Sequence, residues 1–66
     1  MMERYLTHRI VYRGKTYPLS VLTLTTLPDG SVTVSIEPFG GETASTAFHS
    51  GTITVTDTLP PRLIFS

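Results

Sequence analysis

Apolar and polar residues alternate with a period of two along much of the chain, and this pattern predicts β-strands. The alternation is clearest after Gly30, where Val32, Val34 and Ile36 are separated by threonine and serine. A similar stretch runs over residues 52–57. Both stretches alternate every second residue, which is the period of a half-buried strand. The chain is therefore predicted to be all-β.

Two further strands and a turn are predicted at the start of the chain. Residues 4–12 are rich in β-branched and aromatic side chains, and Arg13-Gly14-Lys15 supplies a tight turn. A second strand is predicted over residues 16–26, with Pro18 near its start. A last short strand is predicted over residues 62–65, after the prolines that end the previous one.

Leu27-Pro28-Asp29-Gly30 is the clearest turn signal in the sequence. Proline presets φ for the first central position of a turn, aspartate suits the next, and glycine accepts the left-handed conformation. A hairpin loop here predicts the register of the two strands around it. It places Thr26 opposite Val32, Leu24 opposite Val34 and Leu22 opposite Ile36.

The strand over residues 16–26 carries two apolar sets on opposite faces. Tyr17, Leu19 and Val21 fall on one face, whereas Leu22 and Leu24 fall on the other. A flat strand cannot bury both sets in one core. We therefore expect a β-bulge or a sharp bend near Val21 and Leu22.

Residues 43–49 allow two interpretations. Ala44, Ala47 and Phe48 have helical spacing, which predicts a short helical turn. A turn at Ser50-Gly51 instead predicts a hairpin, which we favour. That hairpin pairs Phe48 with Ile53 and Thr46 with Val55.

These elements predict a single domain over residues 1–66. We expect a small antiparallel barrel or rolled sheet of five to six short strands, with a short helical turn at 43–49 as the local alternative. A chain of 66 residues is near the lower size for independent stability, and it has no cysteine to form a disulfide.

Composition and motifs offer little for catalysis. Ser50, His49 and Asp57 supply the residue types of a triad, but no nucleophile elbow is present. His8 alternates with apolar residues and is expected to be partly buried, whereas His49 is expected in solvent beside a turn. We expect no enzymatic activity, no cofactor, no metal and no small-molecule substrate.

The sequence pattern also bears on location. No run approaches the ~20 apolar residues that span a bilayer, and basic residues interrupt the first apolar stretch. Neither a membrane span nor a secretory signal is predicted, so the expected location is the cytoplasm.

The formal net charge is zero, yet the charges are unevenly distributed. The first twenty residues hold four basic side chains and one acidic side chain, and the rest hold one basic and four acidic side chains. All three tyrosines lie in the same N-terminal part. The candidate binding residues are Arg9, Tyr12, Arg13, Lys15 and Tyr17.

Two functions fit this hairpin. We favour a non-catalytic β module with a structural or protein-binding role, whose partner is an unknown protein or a second copy docked through the apolar face of the hairpin. The alternative is a small nucleic-acid-binding β-barrel that uses the basic, tyrosine-containing hairpin. A net charge of zero makes nucleic acid the less favoured partner.

Overall fold

The structure, a computed structural model, describes residues 1–41 and 46–66. In these two ranges the chain is all-β, with six strands and no helix. The strands are β1 (Met2–Tyr12), β2 (Lys15–Tyr17), β3 (Ser20–Thr26), β4 (Val32–Pro38), β5 (Ala47–Val55) and β6 (Leu63–Phe65). They form one mixed sheet in the order β4-β3-β1-β5-β6, and β2 pairs with β1 beside β3.

The N-terminal hairpin forms at the predicted turn. Tyr12 pairs with Lys15 across a two-residue loop, in which Arg13 (φ 51°) and Gly14 (φ 76°) both have positive φ. Positive φ at both central positions is the geometry whose twist matches that of paired strands. The predicted strand over residues 16–26 is interrupted after Tyr17 and divides into β2 and β3.

The register predicted for the second hairpin is confirmed. The β3–β4 ladder pairs Thr26 with Val32, Leu24 with Val34 and Leu22 with Ile36. Its loop is closed by the Gly30 N–H, which donates to the Leu27 carbonyl at 2.9 Å, and Gly30 has φ 91°. Asp29 Oδ1 accepts hydrogen bonds from the Ser31 hydroxyl at 2.6 Å and the Ser31 N–H at 2.9 Å. These bonds lower the pKa of Asp29, so they stabilise the loop at neutral pH and are lost in strong acid.

The all-β prediction is confirmed, but the fold departs from the expected antiparallel barrel or rolled sheet in the pairing of β1 with β5. These strands are parallel, from Tyr5 opposite Ala47 to Tyr12 opposite Val55, and the sheet does not close into a barrel. The predicted hairpin turn at Ser50-Gly51 is wrong, because both residues lie inside β5. Instead of folding back on a local hairpin, β5 pairs with the edge of β1 that β2 and β3 do not use, although β1 lies far away in the sequence. The helical turn at 43–49 is not formed over residues 47–49, which are strand, and residues 43–45 lie outside the described ranges.

The predicted change of face occurs, but earlier in the chain than Val21 and Leu22. His8 and Arg9 of β1 are consecutive exposed residues, and so are Pro18 and Leu19 between β2 and β3. Two consecutive outward residues reverse the face to which the following side chains point. This reversal occurs both in β1 and in the second half of its hairpin. β5 matches the shift with one extra residue between the partners of Thr7 and Arg9.

This shift places the main core cluster on one face of the sheet, called here the inner face. Leu6 and Val21, which pair with each other, are buried on the opposite face. The buried cluster consists of Ile10, Leu22, Ile53 and Val55. Val34 and Ile36 of β4 pack against it, and so does Leu63 of β6. Because β4 and β6 lie at opposite ends of the sheet, the sheet must curl around this cluster. The other side of the sheet is the outer face.

The burial of each core side chain in the curled sheet predicts how much that side chain contributes to the free energy of unfolding. Leu22 is fully buried, whereas Val34 is half-buried at the end of the sheet. We expect Leu22→Ala to lower the free energy of unfolding by about 3 kcal/mol and Val34→Ala by about 1 kcal/mol. Urea unfolding followed by circular dichroism measures both values. Equal losses would contradict the assignment of Leu22 to the centre of the core.

The surroundings of Gly51 leave no room for a side chain, so a substitution there is expected to lower stability for a steric reason. A Cβ built there meets the Ser66 carbonyl oxygen, and φ is 146°. Thr7 also donates its hydroxyl to the Gly51 carbonyl at 2.8 Å, which fixes this part of the backbone. At Gly30 a Cβ meets only open space, so the cost there is the left-handed φ alone, about 1 kcal/mol.

We therefore expect Gly51→Ala to lower the melting temperature more than Gly30→Ala. Gly40→Ala is the control, because Gly40 has neither a positive φ nor a neighbour within 4 Å. Thermal melts of the three variants give the order. A Gly51→Ala protein that melts with the Gly40→Ala control would show that Ser66 does not pack on β5.

Candidate functional site

The five residues predicted to bind do not form one surface. Tyr12 and Tyr17 are half-buried and pack against the core cluster on the inner face. Lys15 pairs with Tyr12 and therefore lies on the same side of the sheet. Arg9 is exposed on the outer face. The two tyrosines contribute to the core and do not offer open ring faces for stacking.

Arg13 joins the hairpin to the segment after β5. Its Nε lies 3.4 Å from Asp57 Oδ1, and its Cζ lies 5.2 Å from the centre of the Tyr12 ring. Both charged side chains of the ion pair are largely exposed, so the pair adds little stability. The pair links the turn after β1 to the segment after β5, beside the last pair of the β1–β5 ladder, Tyr12 and Val55.

The hairpin's apolar residues are largely covered by the chain itself. Leu6 and Ile10 are buried, and both pair with β5 as well as with the hairpin's second half. The dimer expected through this hairpin stays a prediction; most of the apolar face that motivated it is packed within one copy, whereas Leu19 is exposed.

Tyr12 and Arg13 line a cleft that the sequence did not predict. The cleft lies between β4 and residues 56–61, and its volume is about 330 Å³. Val32 and Val34 line it from β4, and Leu59 and Pro61 line it from the opposite segment. The cleft thus lies between one end strand of the sheet and the connection from β5 to β6.

The wall opposite β4 is held by threonine hydroxyls. Thr56 Oγ1 lies 2.7 Å from Thr58 Oγ1, and the Thr58 hydroxyl donates to the Pro60 carbonyl at 2.9 Å. The Arg62 N–H donates to Thr56 Oγ1 at 2.8 Å. Proline has no N–H with which to pair in a sheet. This segment therefore stands beside β4 without forming a ladder with it.

The outward edge of β4 carries free backbone groups. In an antiparallel ladder every second pair exchanges two hydrogen bonds, and the Leu27 N–H donates to the Ser31 carbonyl at 2.8 Å. Leu27 and Ser31 stand at such a hydrogen-bonded position, so the next pair of the ladder, Thr26 and Val32, exchanges no hydrogen bonds. The same holds for the pairs that contain Val34 and Ile36, and the N–H and C=O groups of all three β4 residues therefore point away from β3. Among residues 1–41 and 46–66, no strand pairs with β4 on that side.

The opposite end of the sheet carries an aromatic cluster. The Phe65 ring meets the Tyr5 ring at 5.5 Å and the His49 ring at 5.0 Å, both edge to face. The His49 Nε2 lies 3.2 Å from the Ser66 carbonyl. Burial and the hydrogen bond that the Tyr5 hydroxyl donates to Glu3 Oε1 at 3.0 Å raise the pKa of Tyr5. These contacts are explained by packing of the short strand β6.

Both histidines differ from expectation. His8 is exposed and meets the Phe48 ring at 5.5 Å on the outer face, because the shift of alternation at His8 and Arg9 turns it away from the core. His49 is half-buried, because β5 continues where a turn was expected. Neither change could be found from the local pattern alone.

The residue types of a triad are not assembled. His49 faces Ser66, Asp57 pairs with Arg13, and Ser50 follows His49 in the strand and therefore points to the other face. Within the described ranges no three His, Cys, Asp or Glu side chains could hold a metal ion. In the same residues no helix is long and apolar enough to cross a membrane.

Searches against models of protein families, curated proteins and solved structures found no match to this chain.

The separation of the basic side chains generates a prediction about nucleic acid. Arg9 and Lys15 lie on opposite faces and Arg13 is paired with Asp57, so few phosphates could be neutralised at once. We expect weak or undetectable binding to single-stranded DNA or RNA at physiological salt. Fluorescence anisotropy with mixed-sequence oligonucleotides measures this. Micromolar affinity that falls steeply with added salt would favour the nucleic-acid-binding alternative.

Proposed function

We propose that this chain is a non-catalytic β module that binds protein by accepting an extended segment along the outward edge of β4. The observation that carries the proposal is the unpaired edge itself, seven residues long and beside a cleft that has both apolar and polar side chains. Strand addition to an exposed edge is a recurring mode of peptide recognition.

The backbone of β4 supports this role. Val32, Val34 and Ile36 direct consecutive N–H and C=O groups outward, at the spacing that a partner strand needs. Proteins usually protect such edges with lysine, proline or a bulge. β4 has no lysine and a regular register with β3, and its proline comes only at the last position, Pro38.

The side chains beside the edge support it as well. Val32 and Val34 are half-buried and line the cleft with Leu59 and Pro61. Side chains of an added strand alternate between the two faces of the sheet, so every second one would enter this cleft. Apolar side chains suit those positions, and small polar ones suit the outer face beside Thr33 and Ser35.

The nucleic-acid-binding alternative has less support. It needs the basic side chains and tyrosines of the hairpin on one exposed surface, and all three of those tyrosines pack against the core. For a catalytic role, the triad residue types Ser50, His49 and Asp57 are not brought together.

A capped peptide of alternating valine and threonine, with a lysine at each end for solubility, tests the edge. We expect amide chemical shifts to change at Val32, Val34 and Ile36 in ¹⁵N-labelled protein, together with residues of the cleft. A matched peptide with N-methylated valines cannot donate the same hydrogen bonds, and we expect it to bind at least about tenfold more weakly. No shift change at millimolar peptide, or changes confined to the hairpin, would overturn the proposal.

A further inference from the structure

The free edge of β4 is complementary to itself. We propose that its occupant is a second copy of this chain, with the two β4 strands antiparallel and the two-fold axis at Val34. This inference rests on the proposed function, because it uses the same edge and names the partner.

The outward backbone groups set this register. With Val34 opposite Val34, Val32 of each copy lies opposite Ile36 of the other. Every outward residue then belongs to a hydrogen-bonded pair, and each such pair exchanges two bonds. The two sheets become one continuous sheet across the axis.

Other registers leave groups without a partner. A two-fold axis at Ile36 places Val34 opposite Pro38, which has no N–H to donate. An axis at Val32 places Ile36 opposite Pro28, in the hairpin loop. An axis at Val34 is the one that uses all three outward residues of β4.

The side chains agree with this register on both faces. On the inner face, the half-buried Val32, Val34 and Ile36 of the two copies become cross-strand neighbours. On the outer face, Thr33 lies opposite Ser35, and Glu37 lies opposite Ser31. No like charges face each other across the axis.

The other end of the sheet offers a weaker site. β6 has three residues, and its ladder with β5 leaves only Leu63 and Phe65 with outward backbone groups. β4 is longer and stands beside the cleft. A formal net charge of zero also leaves little long-range repulsion between two copies.

Charge substitutions at Thr33 and Ser35 test both the partner and the register. Both side chains are exposed, and the ladder places each opposite the other residue of the second copy. Thr33→Lys with Ser35→Lys therefore sets lysine against lysine twice, and Thr33→Glu with Ser35→Glu sets glutamate against glutamate. A mixture of the two proteins sets lysine against glutamate at the same places.

Sedimentation equilibrium from micromolar to millimolar concentration measures the outcome. We expect the unmodified chain to form a dimer, each double variant to dimerise at least about tenfold more weakly, and the mixture to regain association. Thr16→Lys with Ser50→Lys adds the same two charges at exposed strand positions outside β4, and we expect it to dimerise normally. Circular dichroism confirms that each variant is folded.

Three results would overturn this inference. They are a monomer at millimolar concentration, a lysine double variant that dimerises like the unmodified chain, and a mixture that does not regain association. If the valine–threonine peptide still binds β4 in any of these cases, the proposed function stands and the partner is another protein. If the peptide also fails to bind, both proposals fall.

Discussion

The structure depends on β1 having partners along both of its edges. One edge is used by the rest of its own hairpin, β2 and β3, and the other by the distant strand β5. A strand paired on both sides must direct its apolar side chains to the same face of the sheet as its two neighbours do. The consecutive outward residues His8 and Arg9 make this geometrically feasible, because they bring Tyr5 and Ile10 to the same face. The core, the curl of the sheet and its open ends all follow from this central position.

The curl brings the two ends of the sheet near each other but does not join them. The segment that faces β4 contains Pro60 and Pro61, and neither can donate to a ladder. Threonine hydroxyls bond to the backbone of this segment and hold it as a wall. A cleft lies between β4 and residues 56–61, and the sheet does not close into a barrel. The segment therefore lines the cleft without pairing with the edge of β4.

Local signals in the sequence predicted local structure correctly. The Pro28–Gly30 loop determined the whole β3–β4 register, because a hairpin loop of known length allows only one alignment of its strands. The conflict between Tyr17 and Leu22 correctly indicated a change of face, although the position predicted for it, near Val21 and Leu22, was wrong.

The pairing of β1 with β5 could not be predicted in this way. The paired residues of the two strands are about forty positions apart in the sequence. The alternation of Ile53 and Val55 predicts a strand, but it does not indicate that Ile10 and Tyr12 lie opposite them. The errors at His8, His49 and Ser50-Gly51 all follow from that one missing contact. The cleft was missed for the same reason, because its walls, β4 and residues 56–61, are far apart in the sequence.

The partly exposed apolar side chains of β4 determine how strong pairing at this edge can be. Full burial of a valine or isoleucine side chain stabilises by about 1.5–3 kcal/mol, so completing the burial of Val32, Val34 and Ile36, which are already mostly buried, contributes about 0.5 kcal/mol for each. Each new backbone hydrogen bond adds about 1 kcal/mol. Association itself costs about 4–15 kcal/mol in lost freedom. The gain across two copies is of similar size, so the edge supports reversible, concentration-dependent pairing, and additional contacts in the cleft beside Leu59 and Pro61 are what would make a partner bind tightly.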